Sequence, residues 1–145
     1  MSKYKKGPFK PRNLKKYKGN IDNIIYRSSW ELQYMKWCDE NKHVLQWSSE
    51  ELIIPYKNPI DGRIRRYYPD FWLKIETRTG VEQWVVEIKP SKQTRKPAKV
   101  KRKTRRHLNE IATYAVNQHK WAYAERWCHQ RNYKFVIITE KDLNR

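Results

Sequence analysis

Two runs of alternating residues, 66–77 and 82–89, constrain the fold of this 145-residue chain more than any other feature. Successive side chains of a β-strand point to opposite faces of a sheet, so each run predicts a strand. Thr79-Gly80 supplies a turn between the runs, which makes the two strands neighbours. The alternation sets Asp70, Trp72 and Lys74 opposite Phe71, Leu73 and Ile75, and it sets Val85, Glu87 and Lys89 opposite Trp84, Val86 and Ile88. The two strands therefore present acids on a shared side.

The acids on this side follow the pattern Pro69-Asp70 with Glu87-x-Lys89. Neighbouring strands lie only ~5 Å apart, so Asp70 and Glu87 can share one cation, and Glu87 and Lys89 project from the same face. Glu31 is available as a third carboxylate if its helix packs against the end of the sheet. Carboxylate oxygens suit Mg²⁺, with Mn²⁺ as a substitute, and a nearby lysine can position or deprotonate the attacking water or neutralise phosphate charge. The pattern predicts metal-dependent cleavage of nucleic acid.

Each of these residues also has a simpler interpretation. Ser28-x-x-Glu31 fits a helix capping box, in which Glu31 reaches back to a backbone N–H. Asp70 after a proline also fits the entry to a strand, and Glu87 with Lys89 fits a charged strip on a half-exposed strand. Joint placement favours the metal site, because the acids lie on neighbouring strands, a third acid lies on the preceding helix and a basic segment starts at the lysine.

The positive charge of the chain is concentrated in two segments. The 33 Lys and Arg exceed the 15 Asp and Glu, for a formal net charge of +18. Residues 1–18 hold eight basic residues and 89–106 hold ten, neither segment contains an acid, and the remaining charges cancel. Acid-free blocks favour a nucleic acid partner, since each cation that reaches a phosphate releases counterions. The alternative is a solvated tail or a positive face that meets acidic proteins.

The second basic segment is expected to grip backbone phosphates rather than read bases. The predicted DNA contacts of this second segment are Lys92, Arg95, Lys96, Lys99, Lys101, Arg102, Lys103, Arg105 and Arg106. The N-terminal segment is expected to bind backbone phosphates as well.

The length of the chain suits one domain with a real core. Residues 1–20 hold too few apolar side chains to bury, so they are expected to form a flexible basic arm, and residues 21–145 a single domain. The predicted elements are a helix from Ser28 or Ser29 to about Asn41, extended segments at 44–47 and 52–56, the strands within 66–77 and 82–89, a basic loop over 91–103, a helix from about Thr104 to Arg131 and a strand over 133–139. This order predicts an α/β domain with a central mixed sheet flanked by helices.

The sequence argues against membrane and secreted classes. The longest apolar runs, such as 135–138, are far below the ~20 residues of a membrane span. No charged-then-apolar leader is visible, so a cytosolic location is expected. The two cysteines, Cys38 and Cys128, are too few for a disulfide framework and are expected to be buried thiols.

Four segments of the chain resemble the PD-(D/E)xK nuclease superfamily. These segments are Tyr26-Arg27-Ser28-Ser29-Trp30-Glu31, Trp47-x-x-Glu50 with Ile54-Pro55-Tyr56, Arg66-Tyr67-Tyr68-Pro69-Asp70-Phe71, and Val86-Glu87-Ile88-Lys89-Pro90. Within that superfamily the chain is similar to TnsA-type endonuclease domains, and most of all to the small head-completion nucleases of T-even-like tailed phages. The resemblance covers residues 26–89 with specific motifs.

The resemblance implies a restriction-endonuclease-like core of αβββαβ order. It implies a Mg²⁺-dependent deoxyribonuclease in which Glu31, Asp70 and Glu87 are metal ligands and Lys89 is the catalytic lysine. It also implies that packaged DNA ends are processed at the portal in the host cytoplasm, with portal or head proteins as partners and association with the virion as a further expectation. The alternatives are a non-catalytic DNA-binding head-completion or structural protein, a TnsA-like transposon or repair endonuclease, and an RNA-directed nuclease.

Overall fold

A four-stranded mixed sheet with a helix on each face forms the centre of the protein, which a computed structural model describes over residues 6–143. The strands are β1 (Gly7–Pro8), β2 (Ile25–Tyr26), β3 (Val44–Ser49), β4 (Ile54–Lys57), β5 (Ile64–Tyr67), β6 (Phe71–Thr77), β7 (Gly80–Ile88) and β8 (Lys134–Ile138). The α-helices are α1 (Ser29–Glu40), α2 (Arg105–His129) and α3 (Glu140–Leu143), and short 3₁₀ helices span Leu14–Lys16 and Ser91–Thr94.

The central sheet has the strand order β3-β6-β7-β8. Strand β6 pairs antiparallel with β3 and with β7, whereas β7 pairs parallel with β8. A parallel pair needs a long crossover connection, which α2 provides. With α1 in front, these elements follow the order helix, three strands, helix, strand. The predicted α/β fold with a central mixed sheet is confirmed, and it is consistent with a restriction-endonuclease-like core.

The alternation predicted for the two middle strands is confirmed by what each face of the sheet contacts. Phe71 and Leu73 lie in the core cluster on the α1 side, whereas Trp72 and Val85 lie in the cluster on the α2 side. Burying each such side chain contributes roughly 1.5–3 kcal/mol, and a slip of one residue would exchange the two faces. Two anchored faces therefore fix the register that sets Asp70 beside Glu87.

The run 66–77, expected to be one strand, is divided before Phe71. Strand β5 ends at Tyr67 and pairs with β4, while β6 begins at Phe71 and joins the central sheet. Pro69 between them is fully buried and has no N–H to donate, so it interrupts the ladder. The chain bends from the hairpin into the central sheet at this point, and Asp70 lies at the bend.

The segment 6–20, expected to be part of a loose arm, instead packs against the body of the protein. Phe9 and Tyr17 are buried, and their ring centroids lie 5.8 and 4.8 Å from that of Trp47. Two aromatic side chains supply enough apolar contact to order a short basic segment, which composition alone did not indicate. Residues 1–5 of the predicted arm lie outside the described residues.

Helix α2 covers the sheet with its second half only. Its buried residues are Asn117, Trp121, Ala124 and Cys128. In the first half, Leu108 and Ile111 are 52% and 42% exposed. The first turns of α2 therefore extend past the sheet, where they border the basic segment that precedes them. None of the helices described between residues 6 and 143 combines the length and apolar character needed to cross a membrane.

Candidate active site

Asp70 lies at the junction between the β4–β5 hairpin and the central sheet. Its Oδ2 accepts a hydrogen bond from the backbone N–H of Ile88 at 2.7 Å. Ile88 ends β7, so this bond joins the bend before β6 to the far end of the neighbouring strand. The carboxylate is thereby held at one end of the sheet.

Glu50 follows β3 directly and lies beside Asp70. Its backbone N–H donates to the carbonyl oxygen of Asp70 at 3.1 Å. Its φ of 54° is in the left-handed region, which is unfavourable for a residue with a long side chain. Strain of this kind concentrates at functional sites, where the surrounding structure maintains it. Arg27 holds the side chain through two hydrogen bonds, from Nε at 3.0 Å and from Nη2 at 3.2 Å.

Glu31 reaches the same place from the first turn of α1. Ser28 caps this helix, because its Oγ accepts the N–H of Glu31 at 3.2 Å. The Glu31 carboxylate lies with those of Glu50 and Asp70, and one oxygen from each lies within 4.8 Å of the others. Three elements distant in the sequence thus bring three acids together. The Ser28 half of the predicted capping box is present, and the Glu31 carboxylate lies in the group of acids.

Glu87, on β7, and Lys89, directly after β7 ends, lie next to this group. Glu87 is 7% exposed; its Oε1 accepts the Tyr67 hydroxyl at 2.5 Å and its Oε2 lies 3.4 Å from the Lys89 ammonium. Glu87 is adjacent to Asp70 across the strand pair but is not part of the three-carboxylate group, which contains Glu50 instead. The structure therefore brings Glu31 and Asp70 together as the sequence predicted, and it places Glu87 and Lys89 at their border.

Burial raises the proton affinity of Glu31, Asp70 and Glu87, and neighbouring acids raise it further for the first two. Burial and the charges of Glu87 and Glu31 raise the pKa of Asp70 well above its usual range, against the opposing effect of the Ile88 N–H. Burial and the charge of Glu50 raise the pKa of Glu31 to about 7. Burial also raises the pKa of Glu87, although the Lys89 charge opposes it. Repulsion among buried acids indicates that a cation would stabilise their ionised forms.

The donor set fits a hard divalent cation. The three grouped acids offer only carboxylate oxygens, which Mg²⁺ and Mn²⁺ prefer, and no histidine or thiol belongs to the group. Their spacing lets one ion approach all three. The raised pKa values of Glu31 and Asp70 mean that a nearby cation would favour the ionised form of both carboxyl groups. Glu31, Glu50 and Asp70 are therefore the residues suited to hold a metal.

A second lysine approaches the site from α2. The Lys120 ammonium lies 5.6 Å from the ring centroid of Tyr56 and 5.7 Å from that of Tyr67, the tyrosine that bonds Glu87. Burial and the charge of Lys89 lower the pKa of Lys120, while Glu87 opposes them. Contact with two ring faces stabilises a cation that has lost part of its hydration. Lys89 and Lys120 thus flank Glu87 from two different elements.

The basic segment after Lys89 is exposed. Glu140 of α3 holds its beginning, since the carboxylate accepts the Ser91 N–H at 2.9 Å and the Ser91 hydroxyl at 2.6 Å. The predicted DNA contacts are all solvent-exposed: Lys92, Arg95, Lys96, Lys99, Lys101, Arg102, Lys103, Arg105 and Arg106. A row of exposed cations beside a carboxylate group suits a polyanion that passes the site.

Sequence reasoning assigned no role to Glu50 or to Lys120. Glu50 stood within the quoted motif Trp47-x-x-Glu50, and this motif was the signal that could have identified it. Lys120 stands in the middle of a long helix without a local motif, so only the packing of α2 against the hairpin shows it.

Two comparisons with known proteins identify relatives of this chain. The family described as TnsA-like endonuclease N terminal matches residues 41–140, a range that contains Glu50, Asp70, Glu87 and Lys89. The head completion nuclease of Enterobacteria phage T4 is 38% identical over 141 residues, which cover 94% of this chain and 92% of that protein. The chain therefore belongs to the family of TnsA-like endonuclease N-terminal domains.

Proposed function

We propose that this protein is a metal-dependent deoxyribonuclease that hydrolyses phosphodiester bonds. The observation that carries the proposal is the convergence of Glu31, Glu50 and Asp70 within 4.8 Å, next to the Glu87–Lys89 ion pair. An acid-free basic segment begins at that lysine. A surface that only binds DNA gains nothing from acids that face phosphate, whereas a nuclease uses them to hold a cation between protein and substrate.

The proposed roles follow from the contacts of each side chain. Glu31, Glu50 and Asp70 hold Mg²⁺ or Mn²⁺, and we keep Glu87 as a fourth carboxylate because it neighbours Asp70. A cation held by these acids would polarise the phosphate and lower the pKa of the attacking water. Lys89, whose ammonium Glu87 orients at 3.4 Å, positions the attacking water or neutralises charge that develops on the phosphate.

The relative supports a more specific role. The phage T4 relative is named a head completion nuclease, and the similarity extends over almost its whole length. We propose the same role for this chain: trimming the ends of packaged DNA inside the infected host cell, with contacts to portal or head proteins. The runner-up is a DNA-binding head-completion protein without catalysis, which predicts salt-sensitive binding and no metal-dependent cutting.

A cleavage assay tests the proposed function directly. Purified protein is incubated with linear and supercoiled DNA, and in parallel with RNA of the same sequence, in Mg²⁺, Mn²⁺ or excess EDTA. We expect DNA to be cut with either metal and not with EDTA, because the grouped acids cannot neutralise phosphate charge without a cation. Binding without cutting in both metals would support the runner-up, and cutting of RNA alone would reassign the substrate.

The metal-free protein is expected to lose stability as the pH rises through about 7. The pKa of Glu31 is raised from 4.5 to about 7, so the folded state keeps a proton that the unfolded state has already released. Stability linked to this group is present below pH 4.5 and is lost as the pH rises through about 7. A divalent cation should reverse the loss. At about pH 8, Mn²⁺ should raise the Tm by on the order of 5–10 °C, and by much less at about pH 5.

Thermal unfolding with Mn²⁺ or EDTA at the two pH values measures this effect. The Glu31→Gln variant serves as its control, because it cannot ionise and should show a smaller pH dependence. An equal Mn²⁺ shift at both pH values would mean that the ion binds elsewhere on the protein.

A further inference from the structure

A cleft of about 650 Å³ lies between the basic segment and the first half of α2. Four cations line it, from both walls: Lys92, Arg95, Arg105 and Arg106. The one acid in the lining, Glu110, is 3.5 Å from Arg106 and is thereby neutralised in part. The lining also contains Tyr114, which is half-buried. The cleft is therefore positively charged, with an aromatic ring in one wall.

Asn117 gives the cleft an unusual polar group. It lines the cleft, is only 6% exposed, and its side-chain amide has no hydrogen-bond partner in the part of the chain that the structure describes. Its amide atoms are not sealed from the cleft, so they are open to hydrogen bonding by a ligand that enters it. The amide offers a donor and an acceptor side by side, the combination that pairs with the edge of a nucleobase.

The chemistry of the lining fits a nucleotide better than a peptide. Cations serve the phosphates, the ring of Tyr114 offers a stacking face, and the amide of Asn117 matches a base edge. An acidic peptide would pair with the cations but would leave the ring of Tyr114 and the amide of Asn117 without a binding role. The volume lies within the range of sites that hold small ligands, and it is large enough for one nucleotide.

The position of the cleft connects it with the candidate active site. Lys92 follows Lys89 by three residues, and Asn117 precedes Lys120 by three residues, about 4.5 Å along the helix axis. The cleft therefore begins close to Lys89 and Lys120, so a strand held by these lysines can extend into it. Inside a duplex the bases are stacked and their Watson–Crick edges are paired, so a base cannot enter the cleft to meet both the ring of Tyr114 and the amide of Asn117.

We propose that the cleft receives one unpaired nucleotide of the strand that is cut, which makes frayed or single-stranded ends better substrates than intact duplex. This inference rests on the proposed nuclease function and specifies the structure of its DNA substrate. The cations contact the phosphates on either side of the nucleotide, Tyr114 stacks on its base, and Asn117 bonds the base edge.

Cleavage rates on two matched substrates test the inference. One is a fully paired duplex and the other is the same duplex with unpaired nucleotides at one end. The parent protein should cut the unpaired end about tenfold faster, and in Asn117→Ala the ratio of the two rates should fall to about one. Gln118→Ala, at the neighbouring exposed position of α2, should keep the parent ratio. A parent without preference, or an Asn117→Ala variant that keeps it, would overturn the inference.

A binding measurement separates this inference from the proposed function and does not depend on cutting. In an Asp70→Asn background, a single strand with 2-aminopurine at the unpaired position should lose fluorescence on binding, because its base stacks on Tyr114. Tyr114→Phe should preserve the quenching and Tyr114→Leu should remove it. Equal quenching in the parent and in Tyr114→Leu would contradict the nucleotide site. So would displacement of the single strand by polyglutamate to the same extent in the parent and in Asn117→Ala, because an acidic peptide needs only the cations. If the parent and all variants fail to cut DNA but the quenching is still seen, the nuclease function is contradicted and the nucleotide site is not.

Discussion

Asp70→Asn is expected to lose at least about 10³-fold in metal-dependent DNA cleavage, because a bound cation supplies several kcal/mol of transition-state stabilisation. Asp70 shares the carboxylate group with Glu31 and Glu50, and its Oδ2 accepts the N–H of Ile88. An asparagine oxygen can accept the same N–H, so the bend is kept while the charge is lost. Initial rates on a labelled duplex with Mn²⁺ measure the loss.

The same substitution should stabilise the metal-free protein by roughly 1 kcal/mol at about pH 8. Burial, Glu87 and Glu31 raise the pKa of Asp70, so the stability linked to this group is present at low pH and is lost as the carboxyl ionises in the folded state. Asparagine avoids that loss. Glu76→Gln on the exposed part of β6 is the matched control and should change neither cleavage nor metal response. Parent-like cleavage by Asp70→Asn would remove Asp70 from the metal site.

Lys89→Met is expected to cleave about 10²- to 10³-fold more slowly, the usual effect of removing a positioned acid–base or charge-stabilising group. The Lys89 side chain is 28% exposed, so its ammonium can meet substrate while it pairs with Glu87. Burial already raises the pKa of Glu87, and the loss of Lys89 would raise it further. The rising limb of the pH–rate profile should therefore move to higher pH, which stopped-time assays across the pH range would show.

Comparison with two other lysines makes this measurement specific. Lys120→Met removes the second cation beside Glu87 and should cost about tenfold, since Lys120 lies against tyrosine rings and is less open to substrate. Lys134→Met removes a 62% exposed lysine of the same sheet, paired with Glu82, and should behave as the parent does. Three equal losses would indicate a general effect of charge on DNA binding and would contradict a catalytic role for Lys89.

The positions of Glu87 and Lys89 could be predicted because they depend on strand periodicity alone. Side chains two residues apart share a face, and buried apolar neighbours such as Val86 and Ile88 leave only one register that fits. The prediction of two helices succeeded for a similar reason, since Ser28 and Thr104 supply capping oxygens where each helix begins. Local chemistry decided these features.

Glu50 and Lys120 could not be placed in the site by the same reasoning. Glu50 reaches it through a left-handed backbone conformation that no propensity predicts for glutamate. Lys120 depends on how α2 docks on the β4–β5 hairpin, a contact between segments far apart in the chain. The packing of residues 6–20 was missed because this segment has few apolar side chains, yet two of them, Phe9 and Tyr17, are enough to anchor it against Trp47. In each case tertiary contacts overrode the local pattern.

The parallel pairing of β7 with β8 determines when the central sheet can be completed during synthesis. The backbone N–H of Lys89 donates to the carbonyl of Ile138 at 2.9 Å, and β8 follows β7 only after the 25-residue helix α2. During synthesis, β7 must therefore wait for residues 134–138 to leave the ribosome before its second edge is covered. Until then the edge of β7 at Glu87 lacks its partner strand. The end of the sheet that carries Glu87 is therefore completed only after α2 and β8 have been synthesised.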